Sequence, residues 1–306
     1  MIEVHLSTST EDDARSNEIY NVVCPAYAFA NEDAQAFKQA MPDADDHLAF
    51  DNGELVGSAF TAVRPERPSI AFGVVTVLPG HRRRGAGSAL YDAVSRWAAA
   101  RNLHEIDSFV DEDDRESVAF AEKRGFRTIE RYERLVLDLT TAPEHADAPP
   151  DGIEIVRWDG SDSSGAGIYE VALEAYRDEP GGADSAIEPF EDWLEHDIRR
   201  LERSGGATFV AVAADEIVGY AQLNVTAARP GVAAHAYTAV KRSWRGRGVA
   251  GALKRAEIGW ARERGLRQLV TQNEERNAPM LRLNEQLGYR PESSRLFMRG
   301  PLSGAV

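Results

Sequence analysis

Two short runs of arginine and glycine are the residues whose type and spacing could do chemistry: Arg82-Arg83-Arg84-Gly85-Ala86-Gly87 and Arg245-Gly246-Arg247-Gly248-Val249-Ala250. Each follows a strand-like segment and opens a helical pattern. The first amides of a helix have no partner within it and point outward with the positive end of the dipole, which suits an anion. Small residues at Gly85, Gly87, Gly248 and Ala250 let a phosphate come close to the backbone, and the arginines add charge at the rim. The chemistry implied is a pyrophosphate cradle. One Arg-x-x-Gly-x-Gly by itself also occurs in flexible loops and nucleic-acid tails. Two copies in matching contexts point to a built site.

The copies are in register. Val77 meets Val240 at a step of 163 residues (240 − 77), and the same step takes Arg82 to Arg245, Leu90 to Leu253, Trp97 to Trp260 and Gly125 to Gly288. Upstream the register slips by one, Leu55-Val56-Gly57 meeting Ile217-Val218-Gly219 at a step of 162 (219 − 57). Matches that hold register in this way mark a duplicated domain, and 306 residues is about twice a usual single-domain length. Residues 140–152 are polar and proline-rich without periodicity, as a linker would be. The expected organisation is an N-terminal domain over 1–140, a linker over 141–152 and a C-terminal domain over 153–306.

The elements that must position the loops repeat too. Helical patterns near 11–40 and 165–203 precede paired apolar segments at 47–51 and 54–63, and at 208–214 and 216–225. Asp51-Asn52-Gly53 and Ala214-Asp215 read as hairpin turns between them. A third strand, 69–78 or 232–241, runs into each loop. A helix follows at 86–101 or 249–264, with Leu90, Val94, Trp97 and Ala98 at helical spacing. Next come a strand at 105–110 or 267–273, a short helix ending at Gly125 or Gly288, and closing strands. The class is α/β with a mixed sheet, antiparallel hairpins leading into a strand–helix–strand crossover. Trp97 and Trp260 are expected in the cores.

The net charge of −15 opposes nucleic acid and anionic lipid as partners. No stretch approaches the roughly eighteen apolar residues that would span a bilayer, and the first residues lack the basic and apolar regions of a signal peptide. The single Cys24 excludes an internal disulfide and reads as packing rather than as a nucleophile. A cytoplasmic protein is expected. The acidic run Asp111–Glu116 lacks calcium-loop spacing and reads as the cap of a helix. No His/Cys cluster suggests a metal.

With these features together the sequence resembles the GNAT superfamily of N-acetyltransferases. The matching stretches are 75–90 and 238–253, each holding an Arg/Gly loop, and the segments Glu122–Phe126 and Asn284–Tyr289, similar to that family's later helix ending in Gly-aromatic. The resemblance implies two tandem GNAT acyl-CoA N-acyltransferase folds, an arrangement similar to that of mycothiol-synthase-like proteins, with acetyl-CoA as the cofactor. It implies that the backbones of Val75, Thr76 and Val77, and of Thr238, Ala239 and Val240, pair with the pantetheine arm. It implies that the loops, Arg82, Arg83, Arg84, Gly85, Ala86, Gly87 and Ser88, and Arg245, Gly246, Arg247, Gly248, Val249, Ala250 and Gly251, hold the pyrophosphate. In the family an asparagine often precedes by seven residues a tyrosine that protonates the departing thiolate. Here Asn277 and Asn284 stand at those places in the second half, Asp114 and Ala121 in the first. Asn273 in the second half replaces Val110. These differences favour the C-terminal half as catalyst, with Asn273 and Asn277 at the cofactor.

Acetyl transfer needs a neutral amine, so a base must take a proton, directly or through water. His235 and Tyr237, two residues apart, are expected on one face of their strand, the histidine as base and the tyrosine or Asn284 near the leaving sulfur; the alternative for His235 is an ordinary strand residue. Asp178 and Glu179 before Pro180 could receive a cationic amine or be solvated surface, and Trp193 and Tyr169 could line an acceptor pocket or belong to the core. The expected reaction is transfer of acetyl from acetyl-CoA to a primary amine of a small molecule. A protein N-terminus or lysine as acceptor, or an acyl-CoA-binding module without catalysis, are the alternatives.

Overall fold

The computed structural model describes residues 1–41, 43–64, 67–143, 148–178 and 188–304. The chain forms two compact units. The first begins with β1 (Ile2–Leu6), α1 (Thr10–Val23), α2 (Asn31–Ala40), β2 (Asp45–Asp51), β3 (Glu54–Val63), β4 (Ala71–Val77), α3 (Ala86–Ala99), β5 (Glu105–Asp111), α4 (Arg115–Glu122) and β6 (Arg127–Asp138). The second continues with β7 (Ile153–Arg157), α5 (Asp162–Tyr176), α6 (Phe190–Trp193), a π-helical stretch Leu194–Arg199, α7 (Arg200–Arg203), β8 (Ala207–Ala213), β9 (Glu216–Val225), β10 (Val232–Val240), α8 (Val249–Glu263), β11 (Gln268–Glu274), α9 (Ala278–Gln286) and β12 (Arg290–Pro301).

The units are not two uninterrupted runs of chain. The first comprises Met1–Tyr132 and Ser294–Val306, the second Glu133–Ser293. Strand order in the first is β1-β2-β3-β4-β5-β12, with Arg295 paired to Asp111 and Pro301 to Glu105 in an antiparallel ladder. In the second it is β7-β8-β9-β10-β11, with residues 133–138 of β6 next to β11. The linker expected at 141–152 therefore follows a segment already built into the second unit, where Leu135, Leu137 and Leu139 are core residues. The last residues of the chain return to the first unit, where Leu302 is core. Each closing strand is twelve residues long, mostly polar and exposed over its first residues and buried toward its end.

Local chemistry explains the other elements. Asn52 and Gly53 both take positive φ, as the turn between β2 and β3 requires. Ser9, Asp114 and Ser161 cap α1, α4 and α5 by accepting a backbone N–H in the first turn. In α3 the buried face is Leu90, Tyr91, Val94, Trp97 and Ala98, one side of a 3.6-residue repeat, against β2, β3 and β4. Trp97 is 6% exposed and its indole N–H donates to Asp45, while Trp260 packs partly buried on the second core. Trp193 lies in a separate core cluster under α5 with Tyr169 against it.

Between β4 and β5 only Ala71↔Ile106 and Phe72↔Asp107 pair in parallel, and beyond them the strands part. Side chains of β4 then alternate. A Cβ on Gly73 would meet Val94 of α3, and Val75 and Val77 pack on the same side. Thr76 points to the α1 side, bonded to Ser58 at 3.0 Å, whose hydroxyl donates to the Ser16 carbonyl.

Candidate functional site

In the first unit the loop before α3 places Arg83 at φ +64° and Gly85 at φ +101°, and in the second unit Gly246 at +73° and Gly248 at +83°. Left-handed backbone at two positions, two residues apart, turns successive amides inward in both copies. Gly85 and Gly248 are the N-caps of α3 and α8, and neither offers a side-chain acceptor to the first turn. The amides that head both helices are thus left for an anion. Gly87 has a second reason to be small: a Cβ there would lie 3.2 Å from the Phe120 ring of α4.

The first arginine of each loop braces it. Arg82 Nε donates to the Val77 carbonyl at 3.4 Å and its terminal nitrogens bind Asp114, at 2.8 Å for Nη2. Arg245 Nε donates to the Val240 carbonyl at 2.9 Å, and Nη1 pairs with Asp178 at 2.6 Å. Arg83 and Arg84 remain exposed at the rim. Partial burial works against the charge of Asp114, but hydrogen bonds from Arg82 and Ser117 outweigh it and hold the carboxyl below its usual range. Asp178, bound by Arg242 and Arg245, titrates at about 2, the Arg242 bond being the largest cause. A carboxylate so engaged does not suit the amine-receiving role considered for it, and Glu179 and Pro180 lie outside the described residues.

From the loop a cavity of about 570 Å³ extends into the first unit. It is lined by Val75, Thr76 and Val77 of β4, by Gly85, Gly87 and Ser88, by Tyr91 and Val94 of α3, by Ser108 to Asp111 of β5 and by Ala121 of α4. It fills the gap where β4 and β5 part. Cys24 and Arg295 close it, the arginine carried by the last strand of the chain. Burial pushes the Cys24 thiol up to about 11, so it is protonated at neutral pH and unsuited to nucleophilic attack.

The same place in the second unit is filled. β4 runs against β3 in unbroken register, whereas β10 has a bulge at Ala236, with His235 opposite Leu223 and Tyr237 opposite Gln222. Gly73 lies opposite Thr61, and Thr61 and Leu223 are 162 apart (223 − 61), so His235 occupies the place of Gly73. The bulge residue is the one-residue slip between the repeats. His235 Nε2 lies 2.5 Å from the Tyr289 hydroxyl and its Nδ1 lies 3.0 Å from Glu257. Lys254, 1% exposed, has its ammonium 5.6 Å from the Tyr289 ring. Burial lowers Lys254 to about 8 and also lowers His235, with Lys254 acting in the same direction. The first unit has Gly73, Tyr91, Val94 and Phe126 in these places, all lining its cavity.

Several expectations for the second half change accordingly. His235 and Tyr237 are not on one face. The bulge sends His235 toward α8, while Tyr237 stacks on Tyr220 at 5.7 Å and packs tilted against Tyr176 at 5.3 Å on the α5 side. His235, with its side chain 3% exposed, is enclosed among protein groups, which does not suit a base that must reach a substrate. Asn284 is fully buried and donates to Asn273 at 2.7 Å. Asn277 caps α9 by accepting the Met280 amide at 3.3 Å, as Asp114 caps α4. Arg295 is the site residue that sequence reasoning missed, because nothing local in the last strand says which sheet it joins.

Among the described residues no group of three or more His, Cys, Asp or Glu side chains could hold a metal, and no helix is long and apolar enough to cross a membrane. The acetyltransferase (GNAT) family model matches residues 16–126 and 166–289. The chain belongs to that family, in tandem, and the family's members are N-acetyltransferases that generally use acetyl-CoA. Solved structures agree in fold. A tandem GNAT protein from the clavulanic acid biosynthesis pathway is 22% identical, with all of both chains covered and a TM-score of 0.79. A GCN5-related N-acetyltransferase from Sphaerobacter thermophilus is 20% identical over 98% of this chain and 95% of that one, with a TM-score of 0.75. A glucosamine N-acetyltransferase region of a fungal multi-domain β-N-acetylglucosaminidase is 18% identical, with a TM-score of 0.69 over 97% of this chain and 38% of that one. No curated protein matches the chain in sequence.

Proposed function

We propose that the first unit is the acyl-transfer centre, taking acetyl from acetyl-CoA to the primary amine of a small molecule, and that the second unit is a scaffold of the same ancestry. The observation that carries this is the cavity of about 570 Å³ that runs from the head of α3 to the parting of β4 and β5, in the unit where Gly73 and Val94 stand in place of His235 and Glu257. The amides of residues 86–88 would hold the pyrophosphate, with Arg83 and Arg84 at its rim, and β4 would offer its free edge to the pantetheine arm. When bound, acetyl-CoA supplies a thioester carbonyl as electrophile. The acceptor nitrogen forms the C–N bond as the C–S bond breaks; its proton goes to a base or solvent, and the thiolate takes one up. Ala121 provides no acid, but a thiolate is a tolerable leaving group near neutral pH.

The test is acetyl-CoA binding by calorimetry, and thiol release with a mixture of primary amines, in three proteins: intact, Gly85→Glu/Gly87→Glu and Gly248→Glu/Ala250→Glu. The first variant is expected to lose binding and transfer, and the second to keep both, with melting curves reporting that each remains folded. Loss confined to the second variant would reverse the assignment. Binding without thiol release would favour the non-catalytic acyl-CoA module, which Ala121 in the tyrosine position also fits.

A further inference from the structure

A second cavity of the first unit, about 170 Å³, lies on the α1 and α2 side of the sheet and shares Val74, Thr76, Phe109 and Arg295 with the larger one. The two therefore meet where β4 and β5 part. The wall of the smaller is aromatic, with Phe29, Phe60, Phe72 and Phe109. Its volume compares with the roughly 150 Å³ cavity that accepts one benzene ring in another protein. Asp13, Lys38 and Asp46 stand at its far end, on α1, α2 and β2, whereas Arg295 on β12 stands beyond β5, and β3 and β4 lie between. Lys38 is held by Asp13 at 2.6 Å and by Asp46 at 3.0 Å, so this end is closed by its own ion pairs.

The junction end is different. Arg295 is 7% exposed and its guanidinium lies 3.9 Å from the centre of the Tyr27 ring. Among the described residues its carboxylate partner is Asp111, which meets Nε at 2.8 Å without the alignment of a hydrogen bond. That contact uses the inner nitrogen, and the guanidinium also donates to the Tyr20 hydroxyl, which lines the same cavity; with five N–H donors the arginine keeps capacity at its outer nitrogens for a carboxylate. An acceptor must put its amine at this junction to reach a thioester. A carboxylate two bonds from that amine would fall on the same guanidinium, and the remaining substituent would enter the aromatic cavity.

We propose that the acceptor is an α-amino acid with a ring-sized apolar side chain, its carboxylate bound by Arg295 and its side chain by the phenylalanine-lined cavity. The proposal rests on the first unit being the acyl-transfer centre. The products are an N-acyl amino acid and the free thiol of CoA.

Thiol release from acetyl-CoA is compared with L-phenylalanine and with phenethylamine, which lacks only the carboxylate, in wild type, Arg295→Met and Arg295→Lys. Wild type is expected to prefer phenylalanine in kcat/KM by on the order of 10²-fold, Arg295→Lys to keep part of that preference, and Arg295→Met to lose it while still binding acetyl-CoA by calorimetry. Should the variants not fold, wild type alone decides through its products: N-acetyl-L-phenylalanine is expected to inhibit at least about tenfold more strongly than N-acetylphenethylamine. Equal rates and equal inhibition, or transfer to phenethylamine with phenylalanine inert, would overturn the proposal and leave the first unit as the transfer centre. Acetyl-CoA bound with neither compound accepted would also overturn it alone. No binding of acetyl-CoA to wild type would overturn both.

Discussion

The two units solve one packing problem in opposite ways. Where β4 and β5 part, the first unit has Gly73, Tyr91, Val94 and Phe126 around open space. Where β10 and β11 part, the second has His235, Lys254, Glu257 and Tyr289, buried and in contact with one another. Both keep the loop, the two left-handed residues and the uncapped helix start. A phosphate-binding loop and a cleft for the rest of the ligand are thus separable features, and a loop motif by itself does not say that a site is open. The tyrosine position misleads for the same reason. Asn284 is chemically closer to an acid than Ala121, yet Asn284 is enclosed and Ala121 faces a cavity.

The sharpest way to break this comparison is to remove one member of the buried cluster. Glu257→Ala leaves Lys254 and His235 without their carboxylate and is expected to cost about 3–5 kcal/mol in urea unfolding. The matching change in the first unit, Val94→Ala, is expected to cost about 1–3 kcal/mol. Similar costs at the two positions would mean that the cluster is not a mutually compensating unit.

A second change carries the plug across. A Cβ on Gly73 would already lie 2.9 Å from Val94 Cγ1, so Gly73→His overpacks the α3 face at about 1–3 kcal/mol and fills the cleft. Calorimetry is expected to show acetyl-CoA binding weakened by two or more orders of magnitude, about 2.8 kcal/mol. Unchanged affinity would mean that the ligand does not use this part of the cavity.

Acid titration probes the cluster more gently. Burial and Lys254 keep the folded His235 below its ordinary value, so the unfolded chain takes up a proton first. Stability from this group is fully present above about pH 6.5 and is lost as pH falls below that, by at most about 1.4 kcal/mol per pH unit. Asp197, raised to about 6 by burial, acts in the opposite sense in the same range. The readout is therefore the difference in urea midpoint between wild type and His235→Gln, which is expected to narrow as the pH falls from 7 to 5. A constant difference would mean that the folded histidine titrates normally.

The smallest effect concerns the loop. Arg83 has φ +64° where the second copy has Gly246 at +73°. Arg83→Gly relieves a left-handed side chain but frees the unfolded chain, so a net gain under about 1 kcal/mol is expected, and Gly246→Arg should lose a similar amount. Thermal melts of the two variants moving in the same direction would show that the loops are not equivalent.

Much of this was legible because it is local. Gly85 and Gly248 mark a loop that a phosphate can approach, the acidic run Asp111–Glu116 marks a helix start, Asn52-Gly53 marks a tight turn, and the repeat in step from Val77 to Gly288 declares two copies of one fold. Even the bulge was present as a slip from 162 to 163, though the sequence did not say which residue was extra. Its placement at Ala236 reversed the face of His235 relative to Tyr237, since alternation is a rule only for an unbroken strand. The remaining decisions are non-local. That Arg295 pairs beside Asp111 rather than within its own half, that residues 133–138 enter the second core, and that Gly73 leaves space where His235 fills it depend on which segments meet in three dimensions. The sequence determined the elements, their order and the anion-binding loops, because each rests on the conformational preferences of a few neighbouring residues. Tertiary structure decided which loop leads to an open cleft, because an open volume is a property of side chains brought together from distant parts of the chain.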